Sequence, residues 1–144
     1  MISPLSSDDA VRILDAVLSV TERHIVPLTR EGVASGCKLF GAAVLDKQTL
    51  KPLTVATNNE AVSPLLHGEI NCIHRFFTET YPDPAIRPDT AKDCIFFATH
   101  EPCSLCLSGI TWAGFSQIFY LFTHENSRDS FSIPYDIEIL QQVF

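Results

Sequence analysis

Two short segments of this chain carry side chains whose types and spacing could do chemistry. Leu66-His67-Gly68-Glu69-Ile70 sets an imidazole and a carboxylate two positions apart. Glu101-Pro102-Cys103-Ser104-Leu105-Cys106 sets two thiols with two residues between them and a proline directly in front. His67, Cys103 and Cys106 make a soft nitrogen and sulfur donor set suited to Zn²⁺. The fourth position is left for water, as in catalytic rather than structural zinc sites. Glu69 is then the natural general acid and base beside that water. Two thiolates and a neutral imidazole leave the zinc unit near zero charge, so the water can ionise near neutral pH. The chemistry that follows is hydrolytic. Glu69 takes a proton from the water, the hydroxide attacks an electrophilic carbon, and Glu69 hands the proton on to the leaving group.

Each motif alone has a duller reading. A C-x-x-C pair also serves redox exchange and structural zinc, but a redox pair gives His67 and Glu69 nothing to do. A structural zinc needs a fourth protein ligand, for which His74, His100 and His124 are the candidates. His74 lies two helical turns beyond His67, rather far for the same ion. His100 is too close to Cys103 for an easy turn and reads instead as a pocket residue or a strand-end hydrogen bonder. A structural site also has no use for a carboxylate beside the metal, so Glu69 argues against a non-catalytic, zinc-stabilised interaction module. Cys37, Cys72 and Cys94 read as small apolar core residues.

The elements that must position these groups follow from periodicity and capping signals. Ser6-Ser7-Asp8-Asp9 starts a helix that runs to about His24, with Val11, Leu14, Val17 and Leu18 at helical spacing. Gly32 and Gly36 punctuate a loop. Leu39 to Leu45 and Leu50 to Thr57 form a hairpin about the turn Asp46-Lys47-Gln48-Thr49, and Pro52 marks an edge or strand-start position. The small run Gly41-Ala42-Ala43 signals a close approach, most simply of a helix. A helix from His67 to about Thr80 holds His67 and Glu69 in its first turn, with Phe76 and Phe77 in the core. Cys94 to Thr99 is a buried strand feeding a helix from Cys103 to about Ala113, which starts with both thiols, has Trp112 in the core and ends at Gly114. Gln117 to Phe122 is a further strand, Ser127 to Ser132 a polar loop, and Pro134 to Phe144 a short terminal helix. The result is one α/β domain over residues 1–144, with helices covering a mixed sheet.

Composition bounds the function. With 144 residues, 46% of them hydrophobic and 19% charged, the chain can bury a proper core. A net charge of −7 and no basic run disfavour a nucleic-acid partner and favour a small neutral one. No apolar stretch has the length of a membrane span, and Met1-Ile2-Ser3-Pro4 lacks the features of a signal peptide. Five cysteines, an odd number, argue for a reducing compartment, with the cytoplasm as the default.

At the H-x-E and P-C-x-x-C residues the chain resembles the zinc-dependent cytidine/deoxycytidylate deaminase superfamily, whose signature this is. The likeness extends from Leu39 to at least Phe122. It implies a three-layer cytidine-deaminase-like fold with about five strands, a bound Zn²⁺, a nucleobase or nucleoside substrate and a homodimer. The run from Glu101 to Ala113 is similar to that of guanine deaminases, including its Trp-Ala pair. In those relatives an asparagine after the second strand holds the base, which implies Asn58, with Asn59 the alternative. The resemblance also implies substrate contacts at Gly68, Glu101 and Pro102. Gly68 stands where guanine and tRNA deaminases generally carry Ala, a feature shared with cytosine deaminases. His124-Glu125-Asn126 replaces a His-Thr-Asp run whose acid helps read guanine. Guanine deaminases also extend beyond the position of Phe144, which is consistent with a shortened chain here. A guanine-like purine is the expected substrate; cytosine, cytidine or dCMP is the alternative, and a tRNA adenosine comes behind both.

Overall fold

Ser6 starts the first helix, its hydroxyl accepting from the Asp9 N–H at 3.1 Å. In this computed structural model, which describes residues 4–143, that helix (α1) spans Ser7–Val20. Residues 1–3, part of the segment without signal-peptide features, and Phe144, the last residue of the expected terminal helix, lie outside the described residues. Helical backbone does not stop near His24. A π-helical turn over Thr21–Ile25 leads directly into α2, Val26–Ala34. Pro27 lies just after the π-helical turn, inside this continuous helical run. Gly32 is therefore helical, and Gly36, at φ +86°, makes the left-handed turn that leaves the helix.

Strands β1 (Gly41–Asp46) and β2 (Pro52–Thr57) form the expected antiparallel hairpin, with a register shift between Val44 and Leu45. Strand β3 (Cys94–His100) pairs antiparallel with β1, and β4 (Ile118–Phe122) pairs parallel with β3. The order is β2-β1-β3-β4, so Pro52 does sit on an edge strand. The sheet is mixed, as expected, but has four strands among the described residues and not about five. After Phe122 the chain turns into helices, and nothing described returns to the outer edge of β4.

Two helical layers sandwich the sheet. On one face, α3 (Gly68–Arg75) and α4 (Ser104–Trp112) bury Cys72, Phe76 and Ile110 against Val44, Phe96 and Ala98. On the other, Val17 and Val20 of α1, with Ile25, cover Ala43, Leu45 and Phe97. The strands alternate between these faces, as the period of two requires. A Cβ at Gly41 would collide with the Ile25 side chain, so the small run in β1 does serve helix–sheet packing.

Three local expectations need correction or refinement. Trp112 is 91% exposed, not core. Helix α4 faces inward through Cys106 and Ile110, and a residue two positions past Ile110 points to the opposite side at 100° per residue. Ser127 to Ser132 is not loop: α5 spans His124–Phe131, started by a capping box in which Thr123 and Asn126 bond each other's backbone N–H. The α3 helix widens into a second π-helical turn over Phe76–Thr80. The last helix, α6, spans Tyr135–Val143 and has no buried residue.

Candidate metal centre and active site

Two helix starts carry the metal donors. His67 is the N-cap of α3 and Cys103 the N-cap of α4, both with extended backbone. Pro102 therefore precedes the cap and does not open the helix. The Asn71 amide ties the first turn of α3 to the end of β2 by donating to the Thr57 carbonyl at 2.9 Å. Gly68 lets this helix start come close, because an added Cβ would lie 2.5 Å from the Phe40 carbonyl oxygen. Strand β3 delivers Glu101-Pro102 and then α4. The Cys106 N–H donates to the Cys103 sulfur at 3.5 Å, as an N-cap demands.

The three donor atoms converge. His67 Nδ1 is 3.5 Å from Cys103 Sγ and 3.5 Å from Cys106 Sγ. Zinc bonds of about 2.0–2.1 Å to nitrogen and about 2.3 Å to sulfur, at tetrahedral angles, would place nitrogen and sulfur about 3.5 Å apart. The donor set thus has the spacing of three corners of a zinc tetrahedron. Among the described residues this is the one such cluster, and His74, His100 and His124 do not join it. The fourth corner is free for a small oxygen ligand.

Protonation follows from this crowding. Hydrogen bonding from Cys106 holds the Cys103 thiol well below its usual range, aided by His67 and the helix N–H. Cys106 is pushed up, because its neighbour holds the shared negative charge and burial penalises a second. The hydrogen bond with Cys103 raises His67. Glu69, 5% exposed, is pushed up to about 7, chiefly by burial. A carboxyl poised there can both take and give a proton at neutral pH.

Bound here, zinc supplies an activated water and neutralises developing negative charge. The chain's own residues do the rest. Glu69 Oε2 lies 3.4 Å from Cys106 Sγ, beside the metal position, where it can accept a proton and pass it to a substrate nitrogen. The α4 N-terminus offers free N–H groups to a developing oxygen.

The other expected contact residues have partners of their own. Asn58 is 4% exposed, and its side-chain oxygen accepts the Phe40 N–H at 3.1 Å, which leaves the amide NH₂ as its donor. The Glu101 carboxylate accepts the His124 N–H at 2.9 Å. Glu101 and Pro102 line a cavity of about 570 Å³, lined also by Leu107, Tyr120 and Leu140. None of the three metal donors lines it. His100 is buried, with Nδ1 2.8 Å from the Thr99 hydroxyl, and Phe40, Phe122 and Phe131 crowd its ring.

One residue escaped the sequence reading: Asp136, in the first turn of α6. Burial and the Cys103 thiolate raise its carboxyl, while His124, His67 and Lys38 oppose them, so it sits within charge range of the metal centre. Only the folding back of α6 brings it there. Its sole sequence signal was a first-turn acid in an amphipathic segment, which any solvated helix would share.

The zinc-binding region of cytidine and deoxycytidylate deaminases matches residues 23–122 of this chain. The chain belongs to that family. That region is a zinc-binding one, and here His67, Cys103 and Cys106 form a candidate zinc site. The guanine deaminase of Bacillus subtilis (strain 168) is 27% identical over 111 residues, or 75% of this chain and 66% of that protein. The chain therefore spans just under two thirds of that relative's length. The crystal structure of a Bacillus subtilis guanine deaminase superposes with a TM-score of 0.61 at 25% identity, covering 78% of this chain and 68% of that one. A guanine deaminase from Nitrosomonas europaea gives 0.58 at 18% identity, over 73% and 58% of the two chains. A tRNA:A34 deaminase gives 0.57 at 15% identity, over 80% and 78%. The last two likenesses speak for the fold alone.

Proposed function

We propose that this deaminase acts on a free, guanine-like purine base, replacing an amino group by a carbonyl and releasing ammonia. The observation that carries the reading is the triangle of His67, Cys103 and Cys106 at zinc spacing, with the Glu69 carboxyl against it. In this reading Glu69 is the proton carrier and the Asn58 amide holds the base. Gly68, Glu101 and Pro102 shape the site, and the Asp136 carboxylate accepts from ring N–H and amino donors. The similarity to the Bacillus subtilis guanine deaminase supports a purine.

The cytosine-type alternative drew on Gly68. The nearby Phe40 carbonyl accounts for that glycine sterically, so it need not report on the substrate. The net charge of −7 weighs against a tRNA substrate. A small-molecule base, a homodimer and a cytoplasmic setting complete the proposal; five free cysteines fit a reducing compartment. No helix among the described residues is long and apolar enough to cross a membrane.

Ammonia release from guanine, adenine, cytosine and their nucleosides, with Glu69→Ala as the blank, tests the reading. Preferential release from guanine supports it, and preferential release from cytosine or cytidine overturns the purine assignment.

A further inference from the structure

His124 opens α5, and its imidazole lies between two carboxylates from different parts of the chain. Nδ1 is 3.6 Å from Asp136 Oδ2 on α6, and Nε2 is 3.9 Å from Glu101 Oε1, just after β3. The His124 backbone N–H also donates to Glu101 Oε2 at 2.9 Å. The ring is therefore anchored at its base and flanked at both nitrogens. Its side chain is only 11% exposed, and Nδ1 is a buried polar atom without a hydrogen-bond partner.

A buried, unpaired ring nitrogen is costly, so one this close to a carboxylate calls for an explanation. A carboxylate can only accept, and Asp136 Oδ2 is the nearest acceptor recorded for Nδ1. The proton that relieves the cost therefore sits on Nδ1, and a shift of a few tenths of an ångström closes the bond. Asp136 needs such support. It stands on a helix with no buried residue of its own, whose Tyr135 ring lies 5.3 Å from the Lys38 ammonium.

We propose that His124 is a positioning residue, which orients the Asp136 carboxylate toward the metal centre by donating from Nδ1 while Glu101 fixes its backbone. One Asp136 oxygen is taken by His124, leaving the other for a ligand's N–H donors. The inference rests on the deaminase reading only for the identity of that ligand. The same arrangement explains why Glu101 is turned toward α5: it seats the residue that seats Asp136.

The test compares His124→Phe, His124→Asn and Asp136→Asn in the zinc-loaded full chain, by steady-state ammonia release. The Asn amide nitrogen lies about where Nδ1 does, so His124→Asn restores the donor without the ring. We expect His124→Phe to raise KM by about tenfold or more with kcat changed less, and His124→Asn to recover most of that loss. In an Asp136→Asn background, His124→Phe should add less than about twofold. Equal losses for the Phe and Asn variants, or full additivity with Asp136→Asn, would overturn the proposal. Nitrogen-15 NMR of the His124 ring in the unaltered protein supplies a readout independent of turnover. The proposal requires the Nδ1-protonated tautomer, with a signal that moves in Asp136→Asn. An Nε2-protonated ring indifferent to Asp136 overturns it. Should no amine in the panel release ammonia, the deaminase reading falls, and the tautomer still decides the role of His124.

Discussion

Cys106 Sγ lies 3.4 Å from Glu69 Oε2, so a candidate metal donor on α4 and the proposed proton carrier on α3 are in direct contact. The two helices meet through these residues at one end of the sheet. Donor set and acid/base therefore form a single, largely buried unit, and disturbing either helix start disturbs both.

The sulfur donors should be indispensable for the metal. Cys103→Ala or Cys106→Ala should cut bound zinc from about one per chain to near zero. Chelation should lower the stability of the unaltered protein, by about 4 kcal/mol relative to free zinc at a thousand times Kd. Metal analysis and thermal unfolding with and without chelator check this. A Tm indifferent to zinc would mean the triangle is not a metal site.

Gly68→Ala should cost both stability and activity. The added methyl meets the Phe40 carbonyl oxygen at 2.5 Å, and backbone cannot move aside as a side-chain tip could. Overpacking of this kind costs roughly 1–3 kcal/mol, and here it also shifts the His67 cap. Denaturant unfolding and zinc affinity should both weaken. An unchanged midpoint would show that the α3 start has more room than described.

His100 should make stability pH-dependent on the acid side. Burial depresses its imidazole from 6.5 to about 4. Between those values the unfolded chain binds a proton that the folded chain refuses, so stability falls as pH drops from about 6.5 toward 4. The loss is up to about 3 kcal/mol at the low end. His100→Phe should flatten this dependence relative to the unaltered protein, measured by chemical unfolding across pH 4–7. Parallel profiles for the two proteins would contradict the buried, neutral assignment.

The metal centre was legible in the sequence because its chemistry is local. His67 and Glu69 share one helical turn, as do Cys103 and Cys106, and a zinc tetrahedron needs little more than two such turns brought together. The hairpin and the two central helices were legible for the same reason, since their periods and caps lie within short windows. Other features were not. Trp112 looked like core from its type, yet its face is set by Ile110 and Cys106. The helix of His124–Phe131 is polar, and the Thr123–Asn126 capping box signals it more than any apolar stripe does. The fifth strand was inferred from the resemblance, and the described chain holds four. Asp136 was invisible because only the fold-back of α6 carries it within charge range of Cys103, thirty-three residues away in sequence.

The most direct measurement is ammonia release from guanine by the zinc-loaded protein, run beside Glu69→Gln with zinc content determined for both. Glu69→Gln keeps the shape and the metal donors but removes the proton carrier. The account predicts equal zinc and a loss of turnover in the variant of about 10²–10⁴-fold. Full turnover in a zinc-loaded Glu69→Gln protein would contradict the central claim that Glu69 moves the protons of this reaction.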